Sequence, residues 1–175
     1  SFLITEASQE QRWVKSVLTD DHHVVSFIDA LKKHFRVSSN QDLEHQLEDY
    51  SFAIEIEGQL FIRSIAGFDF EKDRVSFFCD LSMGEQLYLV KRQDLVQCTD
   101  KDFRDFMATK SRAKPVGGIL NDCILRRLHN QQSLAQVRSF DAIPTAGFST
   151  FGELYGVNIN QTLTALFGAV PFTCW

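Results

Sequence analysis

The sequence predicts an α+β fold, a mostly antiparallel sheet packed with helices, on three observations. From Tyr50 to Lys91, Phe- and Ile-rich segments alternate with short polar breaks, the texture of consecutive strands. Before them lie two stretches with helical spacing; after them come helix, strand, helix and two strands. That order lacks the regular strand–helix alternation of a doubly wound sheet, so the helices must lie against a largely antiparallel one.

Taken in order, residues 5–36 read as helical. Ser8-Gln9-Glu10-Gln11 has capping-box spacing, with Trp13, Val14, Val17 and Leu18 then on one helical face. Val24, Phe27, Ile28, Leu31 and Phe35 make a second apolar stripe. Ser38–Asp49 is polar and reads as a loop with a short helix. Ser51–Glu57 and Gln59–Phe68, joined by Glu57-Gly58, read as a β-hairpin. Arg74–Cys79 and Glu85–Lys91 repeat the arrangement around Ser82-Met83-Gly84. A helix follows within Asp94–Thr109, with Thr99 and Asp102 offering an alternative, later start. Pro115–Asn121 reads as a strand opened by Gly117-Gly118, Ile124–Leu128 as a helix, and Phe148–Phe151 and Gln161–Phe167 as strands. The expected division is a helical segment or linker over 1–50 and one domain over 51–170.

Composition narrows the function classes. Hydrophobic residues at 44% and charged residues at 23% are those of a chain with a packed core, not a disordered one. The 16 Phe read as core filling, with an apolar pocket as the sharper alternative. A net charge of −5, with basic residues only in pairs such as Lys32-Lys33 and Arg126-Arg127, argues against nucleic acid as a partner. No apolar run reaches membrane-spanning length and no basic-then-apolar leader opens the chain, so no membrane contact is expected of this segment. Its start at Ser1 reads as that of a piece excised from a longer protein. Cys79, Cys98, Cys123 and Cys174 lie far apart and form no C-x-x-C pair, which reads as four reduced thiols and a cytoplasmic setting.

The common catalytic signatures are missing, and no cofactor is expected. Gly147-Phe148-Ser149-Thr150-Phe151 approaches a nucleophile elbow but has Phe where the second Gly must stand. His22-His23 beside Asp20-Asp21 reads as a solvated helix start rather than a metal site. Two stretches carry more information. Ala146–Phe167 interleaves Ser149, Thr150, Glu153, Asn158, Asn160, Gln161, Thr162 and Thr164 with large apolar residues, so many of these polar groups must lie near a core and need partners. In Gly117–Leu128, Cys123 falls at a strand-to-helix junction, a position that suits either a buried lining residue or an activated thiol.

These stretches also carry a family resemblance. GFSTFGELYG followed by NINQTLTALF, and NDCILRR preceded by a glycine-led apolar strand, are similar to the C-terminal signature of FIST domains, named for F-box and intracellular signal transduction proteins. The specific match covers Pro115–Phe167 and a looser one reaches back to Ser51, with Asn121-Asp122 standing where the family more often has small residues. The resemblance implies a sensory, non-enzymatic domain, with amino acids among the ligands and an attached signalling output domain, such as a chemotaxis module, as partner. Under it, Cys123, Arg126, Ser149, Thr150, Glu153, Tyr155 and Asn160 are expected to converge on a pocket in the complete sensory unit. Arg126 would clamp a carboxylate and Glu153 an ammonium. Residues 1–50 would then lead in from a preceding N-terminal half, and a homodimer is compatible with the sequence. The competing readings are a protein-binding scaffold and a cysteine-dependent enzyme using Cys123.

Overall fold

The computed structural model describes residues 1–109, 113–155 and 157–171. It is α+β, with mostly antiparallel pairing. The chain divides into two compact units, one of Ser1–Arg92 with Tyr155–Asn160, the other of Gln93–Leu154 with Gln161 onward. Among the described residues no helix is long and apolar enough to cross a membrane.

The first unit holds β1 (Phe2–Ser8), β2 (Trp13–Leu18), β3 (Val24–Ser26), α1 (Phe27–Phe35), α2 (Asn40–Leu47), β4 (Tyr50–Ile56), β5 (Gln59–Arg63), β6 (Ile65–Asp69), β7 (Arg74–Phe77) and β8 (Gln86–Lys91). Its sheet runs β5-β4-β8-β1-β2-β7-β6, with β3 beside β2. The two edge strands, β5 and β6, are successive in the chain with only Ser64 between them. One residue can join opposite edges only if the sheet rolls round until they nearly meet, as accumulated strand twist allows. Phe2, Phe27, Phe52 and Phe77 fill its core, Phe27 and Phe52 with ring centroids 5.3 Å apart. The abundance of Phe is thus, in this unit, mostly core packing, the exposed Phe78 excepted.

The N-terminal residues correct the expected helix over 5–36. Only Phe27–Phe35 is helical; the residues before it are β1, β2 and β3. Ser8 Oγ does accept from the Gln11 N–H, at 3.2 Å, but the bond closes the turn between β1 and β2 instead of starting a helix. The spacing of Val14 and Val17 misleads for a definite reason. Register shifts fall between Ile4 and Glu6 and between Glu6 and Ala7, so that Ile4 faces Val17 and Ala7 faces Val14. An extra residue in a strand returns positions three apart to one face, so both valines are fully buried without a helix. The N-terminal half of residues 1–50 is therefore sheet.

The hairpin at Glu57-Gly58 forms as expected, but its second strand ends at Arg63, and Ile65–Asp69 is a separate strand at the other edge of the sheet. Glu57 and Gly58 both have positive φ, 51° and 77°, the backbone that two-residue hairpins favour. The second expected hairpin does not: β7 pairs with β2 and β6, and β8 with β1 and β4. The intervening chain buries Cys79 and Leu81 in the core, and the Gly84 N–H bonds back to the Ile4 carbonyl at 2.9 Å. The Gly84 and Glu85 bonds to Ile4 tie the end of this segment to β1, and β1 and β2 lie between β8 and β7 in the sheet.

The second unit contains α3 (Leu95–Thr109), β9 (Ala113–Cys123), α4 (Ile124–His129), a short 3-10 turn (Leu134–Gln136), β10 (Thr145–Thr150) and β13 (Leu163–Pro171). Asp94 caps α3, its Oδ1 accepting from the Gln97 N–H at 2.8 Å, so the helix begins there and Thr99 lies within it. β9 is the centre of a three-stranded sheet, parallel to β10 and antiparallel to β13. The expected strands over Pro115–Asn121 and Gln161–Phe167 thus share one sheet. Phe103, Phe106 and Phe140 pack on Phe167. Two further short strands are β11 (Glu153–Tyr155) and β12 (Val157–Ile159), the latter in the first unit.

Candidate functional site

The second unit gathers a dense polar set at one end of its three-stranded sheet. Register places Ser149 beside Asp122 and Thr150 beside Cys123, while Leu163 begins β13 opposite Asp122. The carboxyl ends of β9 and β10 and the start of β13 therefore meet. The close approach of β10 to β9 requires glycine at 147, where a Cβ would come within 2.0 Å of the Leu120 carbonyl oxygen.

Cys123 is fully buried and its N–H donates to the Thr162 carbonyl at 3.0 Å. It is the residue at which strand turns into α4, and its thiol is unpaired. Three residues on, Arg126 returns toward β9. Its Nη1 pairs with Asp122 Oδ1 at 3.0 Å and its Nη2 donates to Thr99 Oγ1 at 2.7 Å. The Arg126 side chain is only 12% exposed and that of Asp122 20%, so little water reaches the ion pair. Arg127, the next residue, donates to Ser149 Oγ.

Glu153 takes hydroxyl donors on both oxygens, Thr150 on Oε1 and Thr162 on Oε2. Burial raises its pKa above the ordinary carboxylate value, and the charge of Asp122 adds to the rise. The Thr150 hydroxyl works the other way, but desolvation is the stronger effect.

Of the seven residues singled out in the sequence, five share this strand end: Cys123, Arg126, Ser149, Thr150 and Glu153. Asn160 belongs to the first unit, where it is 3% exposed, and the side chain of Tyr155 lies outside the described residues. Arg126 and Glu153 neither pair with each other nor stand free in solvent. Three members of the cluster escape a reading by motif. Asp122 stands four residues before Arg126, a helix-type ion-pair spacing that could have been noticed. Thr162 falls in the polar set of the NQTLT run, whereas Thr99 is 27 residues away and only the fold brings it in.

A model of the FIST C domain matches residues 27–156, well over half of the chain. The chain belongs to the FIST C domain family. No curated protein and no solved structure matches it. FIST C domains are sensory domains of signal-transduction proteins, and the sensory class is thereby the class of this chain. The FIST C match takes in α3, β9, α4 and β10, and with them Cys123, Arg126, Ser149, Thr150 and Glu153.

Proposed function

We propose that this FIST C domain is a non-enzymatic sensor that binds an amino acid or a similar small metabolite at the strand-end cluster and passes the signal to an attached output domain. The observation that supports the reading is the set of bonded polar groups at adjacent strand ends, Arg126 with Asp122 and Thr99, Arg127 with Ser149, and Glu153 with Thr150 and Thr162, with Glu153 held in a partly desolvated setting. Glu153 offers its remaining lone pairs to a ligand ammonium. Asp122 already rests on Arg126 as a ligand carboxylate would, so ligand entry exchanges one carboxylate for another on the same guanidinium fork. Release of Asp122 moves the junction between β9 and α4, which gives binding a structural readout. Residues 1–50 belong to the same sensory piece as the chain after them, because β1 and β2 share the sheet of β4–β8.

The test is thermal denaturation of the unmodified chain against the twenty amino acids. A ligand at one hundred times its dissociation constant stabilises by about 2.7 kcal/mol, which for a chain of this size moves the midpoint by roughly 5–10 °C. Glu153→Gln should remove the shift. A shift that survives Glu153→Gln, or none with any amino acid, contradicts the assignment. The second reading, a protein-interaction scaffold without a small ligand, draws on Ile119, Phe148 and Leu166, which register puts on one face of the sheet and which are at least half exposed. It takes precedence if the amino-acid screen is silent.

A further inference from the structure

The first unit buries a cation that no carboxylate among the described residues pairs. Arg63 ends β5 directly opposite Phe52, a fully buried core residue, so its side chain is on the core-facing side of the sheet. It is 4% exposed. Among the described residues no carboxylate forms an ion pair with it. Its hydrogen bonds come from Nη1 alone, to the carbonyls of Ile62 and Asn158, while Nε is buried and has no partner.

That arrangement is costly. A buried charge is normally neutralised, paired or fully hydrogen-bonded. A guanidinium stays charged at any pH a protein survives, so neutralisation is closed to it. Arg126 shows the ordinary solution in this same chain, with Asp122 on one nitrogen and a threonine hydroxyl on another. Arg63 lacks both, and the edge it leaves open, Nε with Nη2, is the fork that accepts a carboxylate through two parallel bonds. Its charge is felt nearby, opposing the effect of burial on the Cys79 thiol.

A second, independent observation falls beside it. Asn160 is 3% exposed and its Oδ1 is buried without a partner. It follows β12, whose Asn158 carbonyl receives the Arg63 bond. Two residues of extended chain span about 7 Å, which brings the Asn160 backbone near the carbonyl that Arg63 binds. Buried polar atoms without partners are few in native proteins, and here one is a donor on Arg63 and the other an acceptor on Asn160, the two complementary ends of a binding pattern.

We propose that Arg63 and Asn160 form a binding site for a small carboxylate that carries a hydrogen-bond donor next to the carboxyl group, as in a 2-hydroxy or 2-amino acid. The carboxylate takes the open edge of Arg63, and the neighbouring O–H or N–H donates to Asn160 Oδ1. Neither residue has to give up an existing bond, which distinguishes this site from the strand-end cluster, where Arg126 must exchange Asp122. The proposal goes beyond the reading of that cluster and does not depend on it.

The experiment is calorimetric titration of the full chain with glycolate, acetate, inorganic phosphate and chloride at matched ionic strength. Glycolate should bind most tightly and acetate more weakly. Phosphate should respond no more than chloride does. Arg63→Met keeps the apolar bulk of the side chain, and it should weaken glycolate binding by about thirtyfold or more, the loss typical of removing one partner of a buried charged pair. Should that variant fail to fold, the Nε–H resonance of Arg63 in the unmodified chain decides the matter, since it must move with glycolate and stay still with chloride. The proposal is overturned if glycolate does no more than chloride, if phosphate alone binds, or if Arg63→Met binds glycolate undiminished. Because the readout is Arg63 itself, such a failure leaves the strand-end reading to its own test.

Discussion

Glu153 and Cys79 both carry environments that a pH titration can read. Burial raises the Glu153 pKa, so the folded chain holds this proton more firmly than the unfolded chain does. Stability from this group is fully present below the unfolded carboxylate pKa and declines as pH rises through the higher folded value. Glu153→Gln removes that decline. Melting temperatures of variant and unmodified chain, followed from the carboxylate range toward neutrality, should therefore diverge in favour of the variant as pH rises; parallel curves would contradict the role given to desolvation. The Cys79 thiol is pushed up from about 9 to about 11, chiefly by burial. Stability should fall as pH climbs through that interval, because the unfolded chain ionises first. At pH 8, iodoacetamide should label the half-buried Cys98 well before Cys79 or Cys123, both of which are buried. Rapid labelling of Cys123 alone would favour the cysteine-enzyme reading instead.

At the scale of elements, the pairing of β10 with β9 depends on Gly147. A methyl group there has no room beside the Leu120 carbonyl, so Gly147→Ala should destabilise the chain by about 1–3 kcal/mol, the usual cost of forcing volume into packed structure. Urea unfolding measures this, and an unchanged midpoint would mean that the two strands are not as close as described. Elements also divide into those the sequence discloses and those it hides. The Glu57-Gly58 hairpin and the helix after Asp94 are readable because their signals are local: a turn that needs positive φ, and a stripe of residues at helical spacing. The β1–β2 pair is hidden because two bulges imitate helical spacing, and the partners of β7 and β8 are hidden because strand pairing is decided by residues far away in the chain. The strand-end cluster follows the same division. Ser149, Thr150 and Glu153 stand out as polar residues among apolar ones, whereas the bond from Arg126 to Thr99 exists only once α3 is in place.

For the molecule as a whole, membership of the FIST C domain family makes it a sensory domain, and the strand-end cluster in the second unit is the proposed seat of its ligand. Arg126 and Asp122 hold each other until a ligand carboxylate intervenes, so binding should register in the backbone on both sides of Cys123. The most direct measurement is a nitrogen–proton correlation spectrum of the isotope-labelled chain, titrated with whichever amino acid gives the largest thermal shift. Saturable movement of the Asp122–Arg127 and Ser149–Glu153 amides is expected, with Asp122→Asn altering the midpoint because it removes the carboxylate that the ligand must replace. Movement confined to other residues, or a spectrum that no amino acid changes, would contradict ligand binding at the strand end.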